Sequence, residues 1–343
     1  MQRRITSEGP LHDERGRLLE TGYATRLIRQ YDRKRIAASR LRIKEWDYYC
    51  VTSDRYALAL TVADNGYMGL DSVSLMDFDG PWEQTKSAMR VMTLGRRGLP
   101  ATSERGDVRV SGKGYEMAFL NDGGTRRLYG RMDSFRDGAP IQFDLRLSSP
   151  PRDSMVIVTP FPGKPRAFYY NQKINCLRAE GRALWNGREY LFSPAHAFAV
   201  LDWGRGVWTY DNTWYWGSAS GLIEGVPFGF NIGYGFGDTS AASENMLFYD
   251  GIAHKLSQVR FEIPVKDGRE DYLSPWRFTS DDGRFEMDFT PILDRAAKTD
   301  FKVLCSDQHQ VFGRYSGTAA LDGGRKIAVR NLIGFAEKVR NKW

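Results

Sequence analysis

Short runs of strand-forming residues, each closed by a Gly, Asp, Asn or Pro turn, recur along this chain, and that punctuation most limits how it can fold. Residues 48–52 and 56–62 flank Ser53-Asp54-Arg55, a hairpin signal. Residues 107–110 alternate in polarity, and 115–120 run into the strong turn Asn121-Asp122-Gly123-Gly124. Segments 128–132, 141–147 and 155–159 follow before a Pro/Gly break at 160–165. A second series then runs through 173–178, 181–185, 189–192, 197–201, 213–220, 226–233, 245–249, 251–257, 259–263, 276–280, 285–290, 310–320 and 326–335. Within it, Arg284-Phe285-Glu286-Met287-Asp288-Phe289 alternates cleanly, as a strand with one buried and one wet face does. Aromatics make up 13% of the chain, which favours strands over helices, and no long helical period disturbs the pattern. The expected fold class is therefore all-β: two antiparallel β-barrels of lipocalin type packed on each other, with little helix. A single core rarely keeps growing to 343 residues, so two series mean two units. The expected division is a lead-in at 1–40, a first barrel at 41–165 and a second at 166–343.

Several function classes fall away. Three widely spaced cysteines, Cys50, Cys176 and Cys305, make a disulfide scaffold a poor expectation. Four histidines, His12, His196, His254 and His309, are too scattered for a zinc cage, and no metal or other cofactor is expected. The net charge of +7 is spread among acids, apart from a basic excess at 26–42, and no nucleic-acid motif accompanies it. No run of 18 apolar residues and no secretory leader is present, so no membrane span is expected and the cytoplasm is the expected compartment. Gly233-Tyr234-Gly235-Phe236-Gly237 lacks the spacing and the helix of a phosphate loop. Gly217-Ser218-Ala219-Ser220-Gly221 carries alanine where a nucleophile elbow needs its serine. The partner that remains is a small molecule.

The chemistry concentrates at residues 202–221, where four of the nine tryptophans lie. Strand parity puts Trp214 and Trp216 on one face and Tyr215 on the other. Asp202 and Arg205 are charges set among Trp203, Trp208 and Tyr210, and burying an unpartnered charge is costly, so an Asp202–Arg205 pair at the end of a strand is expected, in a pocket wall or a structural corner. A second group comprises Asn231, Tyr234, Glu244 and Asn245, where a carboxyl raised by burial would serve as a general acid. Glu45 and Trp46 stand where the first barrel begins. Tyr170 and Lys173, within the run 169–175, would line the junction between the barrels.

The same segments carry a resemblance. Residues 42–49 (RIKEWDYY), 171–176 (NQKINC), 202–210 (DWGRGVWTY), Ser243-Glu244-Asn245, Asp250-Gly251, His254-Lys255, 309–317 (HQVFGRYSG) and 334–343 (GFAEKVRNKW) look like a widespread bacterial family known only as a domain of unknown function. More distantly, the chain resembles the lipocalin-like two-barrel superfamily of carotenoid hydratases, AttH-like proteins and some fungal Diels–Alder cyclases. That resemblance implies a hydrophobic, isoprenoid- or lipid-like ligand in or between the barrels. Its leading consequence is acid-assisted hydration, isomerisation or cyclisation, with Asp202 or Glu244 giving the proton and Trp208, Tyr210, Trp214 and Trp216 holding the substrate. Three alternatives stand beside it: a carrier that binds without reacting, a carbohydrate-active enzyme with paired carboxylates and Trp platforms, and a structural or interaction protein whose aromatics are filled core with no cavity.

Overall fold

A computed structural model describes residues 2–300 and 305–342; Met1 and Trp343, the outer ends of the expected lead-in and of the last motif, lie outside them. The chain forms β1 (Gly9–Pro10), β2 (Gly22–Ala24), β3 (Arg29–Gln30), β4 (Ile43–Thr52), β5 (Tyr56–Asp64), β6 (Met68–Asp77) and β7 (Trp82–Val91). Next come β8 (Val108–Gly112), β9 (Tyr115–Asn121), β10 (Arg126–Arg136), β11 (Ala139–Ser148), β12 (Met155–Phe161), β13 (Lys164–Trp185), β14 (Arg188–Phe192) and β15 (Phe198–Val207). The second half holds β16 (Asp211–Ile223), β17 (Val226–Tyr234), β18 (Met246–Tyr249), β19 (Ile252–Lys255), β20 (Val259–Glu262), β21 (Val265–Lys266) and β22 (Arg269–Glu270). It ends with β23 (Trp276–Ser280), β24 (Phe285–Asp300), β25 (Cys305–Ala320) and β26 (Lys326–Lys342). The helical content among these residues is one 3-10 turn, Arg33–Arg35.

Ten strands in the order β7-β6-β5-β4-β15-β13-β11-β10-β9-β8 curl into a nearly closed barrel. Its two edges meet through side chains: Arg90 reaches the Ser111 carbonyl and the Tyr115 hydroxyl, and Lys86 Nζ donates to the Ser134 carbonyl at 2.5 Å. Nine strands, β19-β18-β17-β16-β26-β25-β24-β23-β20, form a second sheet curled into a half-barrel. The chain is thus all-β, as its punctuation predicts. The Pro/Gly break at 160–165 does not coincide with a change of sheet, because it lies in the hairpin joining β12 to β13. The chain passes from one sheet to the other between Val207 and Asp211. The pair read as separate strands at 173–178 and 181–185 is one strand, β13, with a register shift between Ile174 and Leu177, where Cys176 takes φ +62°.

Burial patterns show where the two sheets meet. β11 alternates, burying Ile141, Phe143, Leu145 and Leu147 in the first barrel while Gln142, Asp144 and Arg146 stay exposed. All ten residues of β15 are buried, and so is the centre of β13. A strand buried on both faces must be covered twice. The inward face of β15 carries Leu201, Trp203 and Val207 into the first core, and its outward face meets the second sheet. Between the barrels, Tyr48, Cys50 and Val200 pack on Trp216, Phe312 and Phe335. The first barrel is filled by its own chain, with Leu11, Tyr31, Ile36 and Leu99 in its core.

Candidate functional site

The register aligns two rows of side chains across the contact between the sheets. On the first sheet Tyr48, Asp202 and Lys173 are neighbours on β4, β15 and β13. On the second, Gln310, Glu337, Trp216 and Gly233 are neighbours on β25, β26, β16 and β17. The rows touch: Tyr48 Oη donates to Gln310 Oε1 at 3.2 Å, and Lys173 Nζ stands 4.1 Å from the Trp216 ring centroid. Gly233 has no side chain because the Glu244 carboxyl lies over it, with Oε1 3.0 Å from where a Cβ would be. Glu244 and Glu337 therefore flank Trp216, opposite Asp202 and Lys173.

Of the three carboxyls in this cluster, Asp202 alone has a direct ion pair among the described residues, while Arg295 and Lys255 act on Glu337 and Glu244 from further away. Lys173 Nζ is 2.9 Å from Asp202 Oδ1, which also accepts from Asn171 Nδ2 at 2.6 Å. Glu337 has neutral donors instead: Trp214 Nε1 at 3.0 Å and Gln310 Nε2 at 3.0 Å. Burial raises its carboxyl to about 7, against the pull of the indole N–H, Arg295 and Lys173, and Asp202 adds to the rise. Burial likewise raises Glu244; Lys173 opposes the shift and Asp202 reinforces it. Glu244 is fixed by its main chain, whose carbonyl accepts from Asn231 Nδ2 at 2.8 Å, while Asn231 Oδ1 accepts from Trp216 Nε1 at 2.7 Å. The Tyr169 phenol, 3.5 Å from Lys173 Nζ, is raised well above its ordinary value by burial and by the three carboxyls.

An aromatic cap covers this cluster. Phe236 packs edge-on against Tyr169 at 4.8 Å, Trp208 at 4.9 Å and Trp214 at 5.4 Å. Trp46 stacks on Tyr169 at 6.1 Å. Gly204 makes that possible, since a Cβ there would sit 1.9 Å from Trp46 Cζ2. Away from the cap, beside Cys50 and Ser218, a gap of about 10 Å³ lies between the sheets. An open cleft of about 550 Å³ lies away from the acids, on the loop carrying Lys266, Glu270 and Tyr272.

The expected residues thus divide into groups. Asp202, Lys173, Trp46, Trp208, Trp214, Trp216, Asn231 and Glu244 come together between the barrels. Trp203, Arg205, Glu45 and Tyr170 point instead into the first barrel: Arg205 pairs with Asp47 at 3.0 Å, Glu45 with Arg33 at 2.6 Å, and Tyr170 donates to the Arg29 carbonyl at 2.7 Å. An Asp202–Arg205 pair does not form, because residues three apart on a strand lie on opposite faces. Tyr234 stacks on Tyr215 at 4.5 Å, on the core of the second sheet. Asn245 braces the Glu244 loop, accepting from Gly233 N at 2.7 Å and donating to the Ser257 carbonyl at 2.8 Å. Tyr210 is exposed. Sequence reasoning missed Glu337, Gln310 and Tyr48. Glu337 was detectable as the lone acid in the alternating row Ile333, Phe335, Glu337, Val339.

Comparison with solved structures gives the same architecture at low identity. A protein described as AttH from Nitrosomonas europaea aligns over 87% of this chain and 92% of its own, with TM-score 0.54 and 17% identity. Kievitone hydratase from Nectria haematococca aligns over 88% of each chain, with TM-score 0.53 and 10% identity. CghA with Sch210972 aligns over 88% of each, with TM-score 0.48 and 12% identity. No curated protein matches the sequence. A family model matches residues 2–343, nearly the whole length, and the chain belongs to the family described as domain of unknown function DUF2804.

Proposed function

We propose that this protein is an enzyme that protonates a hydrophobic small molecule held between its barrels, in a hydration, isomerisation or cyclisation. One observation carries the reading: Glu337 is a buried carboxyl that burial raises to about 7, its direct hydrogen-bond partners are neutral, and the nearby ammonium pairs with Asp202. An acid with a value near the working pH both holds its proton and releases it, which is what general acid catalysis requires. In this reading Glu337 and Glu244 are the proton donors, and Asp202 becomes the counter-ion that fixes Lys173. The Trp216 face, with Lys173 above it, and the Trp214 ring border the carbon that takes the proton. The fold supports the reading to the extent that a hydratase is built on it.

The substrate enters by displacing the cap. Phe236 sits on the connection between β17 and β18, and its ring makes edge contacts with Phe161, Tyr169, Trp208 and Trp214. A carrier has no use for three buried carboxyls, each of which costs stability to bury, so the acids favour catalysis over storage. A sugar platform needs an open indole face, whereas Trp208, Trp214 and Trp216 are packed against other rings.

The test is incubation with a panel of hydrophobic alkenes, polyenes and enones, read by mass spectrometry for products that are isomeric or one water heavier. Glu337→Gln and Glu244→Gln, if still folded, should each lower turnover by roughly 10²-fold or more. Turnover at the wild-type rate in both variants would end the assignment.

A further inference from the structure

The cap end of the inter-barrel contact has a charge opposite to the acid end. Gly206 on β15 has Lys44 on one side and Tyr169 on the other in register. Over Gly206 hangs the Trp208 indole: its Nε1 lies 2.9 Å from where a Gly206 Cβ would be. Trp208 is 91% buried, being 9% exposed, and its N–H has no hydrogen-bond partner. A buried donor without an acceptor is costly, and it marks a place that a water or a ligand can complete; Trp185 and Trp203 carry such donors too, but Trp208 is the one with a buried ammonium beside its ring. Lys44 Nζ stands 5.4 Å from the Trp208 ring centroid and 4.9 Å from that of Tyr67, at only 3% residue exposure. Arg42 brings a second cation to this end, donating to the Trp208 carbonyl at 2.7 Å.

From these placements we propose that Lys44 and Trp208 Nε1 form a binding site for an anionic oxygen group, a carboxylate or an enolate, at one end of a hydrophobic ligand. Four residues of β15 separate Gly206 from Asp202, about 13 Å at strand rise. The ligand is then elongated and two-ended: its oxygen head meets the indole N–H and the ammonium, and its apolar body runs beneath the cap toward the acids. The Trp208 N–H gives direction and Lys44 gives charge, a combination that selects an anion over a neutral molecule of the same shape. Burial and Arg42 bring the Lys44 ammonium down to about 7, and a carboxylate beside it restores the charged form. The inference rests on the reading that the ligand lies between the barrels, and it adds the class of that ligand.

Two flat probes test it, 9-anthracenecarboxylate and the neutral 9-methylanthracene, with binding read by energy transfer from the tryptophans to anthracene. The wild type should prefer the carboxylate by about tenfold. Trp208→Phe keeps a ring and removes the donor, and should weaken the carboxylate roughly three- to tenfold while leaving the neutral probe within about twofold. Lys44→Met should abolish the preference, and Lys44→Arg should retain it, which guards against a loss caused by misfolding. Equal weakening of both probes in Trp208→Phe and Lys44→Met, or no preference in the wild type, would overturn the anion site. The anion preference is read by probe binding in the Lys44 and Trp208 variants and the proton donor by turnover in Glu337→Gln, so a failed anion site and a failed proton donor give different results.

Discussion

β15 separates two groups of buried charge by nothing more than strand parity, and the two are built differently. Arg205, on the inward face, donates to Asp47 at 3.0 Å and to the carbonyls of Trp46, Gly204 and Pro100 at 2.7–2.8 Å. A guanidinium presents five donors in a rigid fork, and here acceptors are set around it. On the outward face, Lys173 is a point charge beside Asp202, and Glu244 and Glu337 share the same burial with neutral donors close by. Charge matched by geometry makes structure. Burial raises Asp47 as well as Glu337, but Asp47 has a guanidinium directly on it whereas the direct partners of Glu337 are neutral, and that separates a brace from a candidate acid.

Removing the Arg205 guanidinium should therefore have the largest effect on stability. Arg205→Met leaves Asp47 buried without its cation, a loss of about 3–5 kcal/mol in urea unfolding. Glu337→Gln at pH 5 exchanges one neutral hydrogen-bonding group for another and should cost about 1 kcal/mol or less. Equal losses would erase the distinction between the two faces.

The pH dependence of stability sharpens the same contrast. The Glu337 carboxyl rises from an ordinary 4.5 to about 7 in the folded chain. Between those values the native state binds more protons than the unfolded state, so this group lowers stability as pH rises. Below 4.5 both states are protonated and the group contributes nothing; above 7 both are ionised and the full deficit, about 3 kcal/mol, is present. Burial of Glu244 acts in the same direction. Unfolding midpoints from pH 4.5 to 7.5 should fall more steeply for the wild type than for Glu337→Gln. Parallel curves would mean that Glu337 is ionised throughout.

What the sequence disclosed depends on how far apart in the chain the partners lie. Parity within one strand placed Trp214 and Trp216 together and Tyr215 apart, and the structure agrees. The hairpin of β6 and β7 escaped notice because β7 is mostly polar and part of its pairing is between hydroxyls, Ser74 with Thr85 at 2.8 Å and Ser72 with Ser87 at 3.2 Å. Glu337 escaped because its meaning comes from Trp214, Gln310 and Lys173, which only tertiary pairing brings to it. Gly204 stands in the sequence only as part of the motif 202–210, yet it is where Trp46 lies flat on β15. Gly204→Ala should push that indole off Tyr169 and cost about 1–3 kcal/mol by overpacking, with near-ultraviolet dichroism reporting the moved rings. A neutral substitution would mean that the cap rearranges freely, a result that would itself favour easy entry of a ligand.

The smallest effect tests whether the aromatic cap tunes the acid or only covers it. Trp214 Nε1 donates to Glu337 Oε1 at 3.0 Å, and a donor favours the ionised form of the carboxyl it serves. Phenylalanine at 214 keeps a ring but offers no N–H, so Trp214→Phe should raise Glu337 above its value of about 7. One hydrogen bond to a charged acceptor corresponds to roughly one pKa unit. The carboxylic C=O band in the infrared, identified by its loss in Glu337→Gln, should persist to correspondingly higher pH in Trp214→Phe. An unmoved titration would reduce Trp214 to packing, whereas the rise places it among the groups that set the strength of the acid. On the Arg205 side of β15 burial also raises Asp47, but there a permanently charged guanidinium, not an indole N–H, opposes the rise.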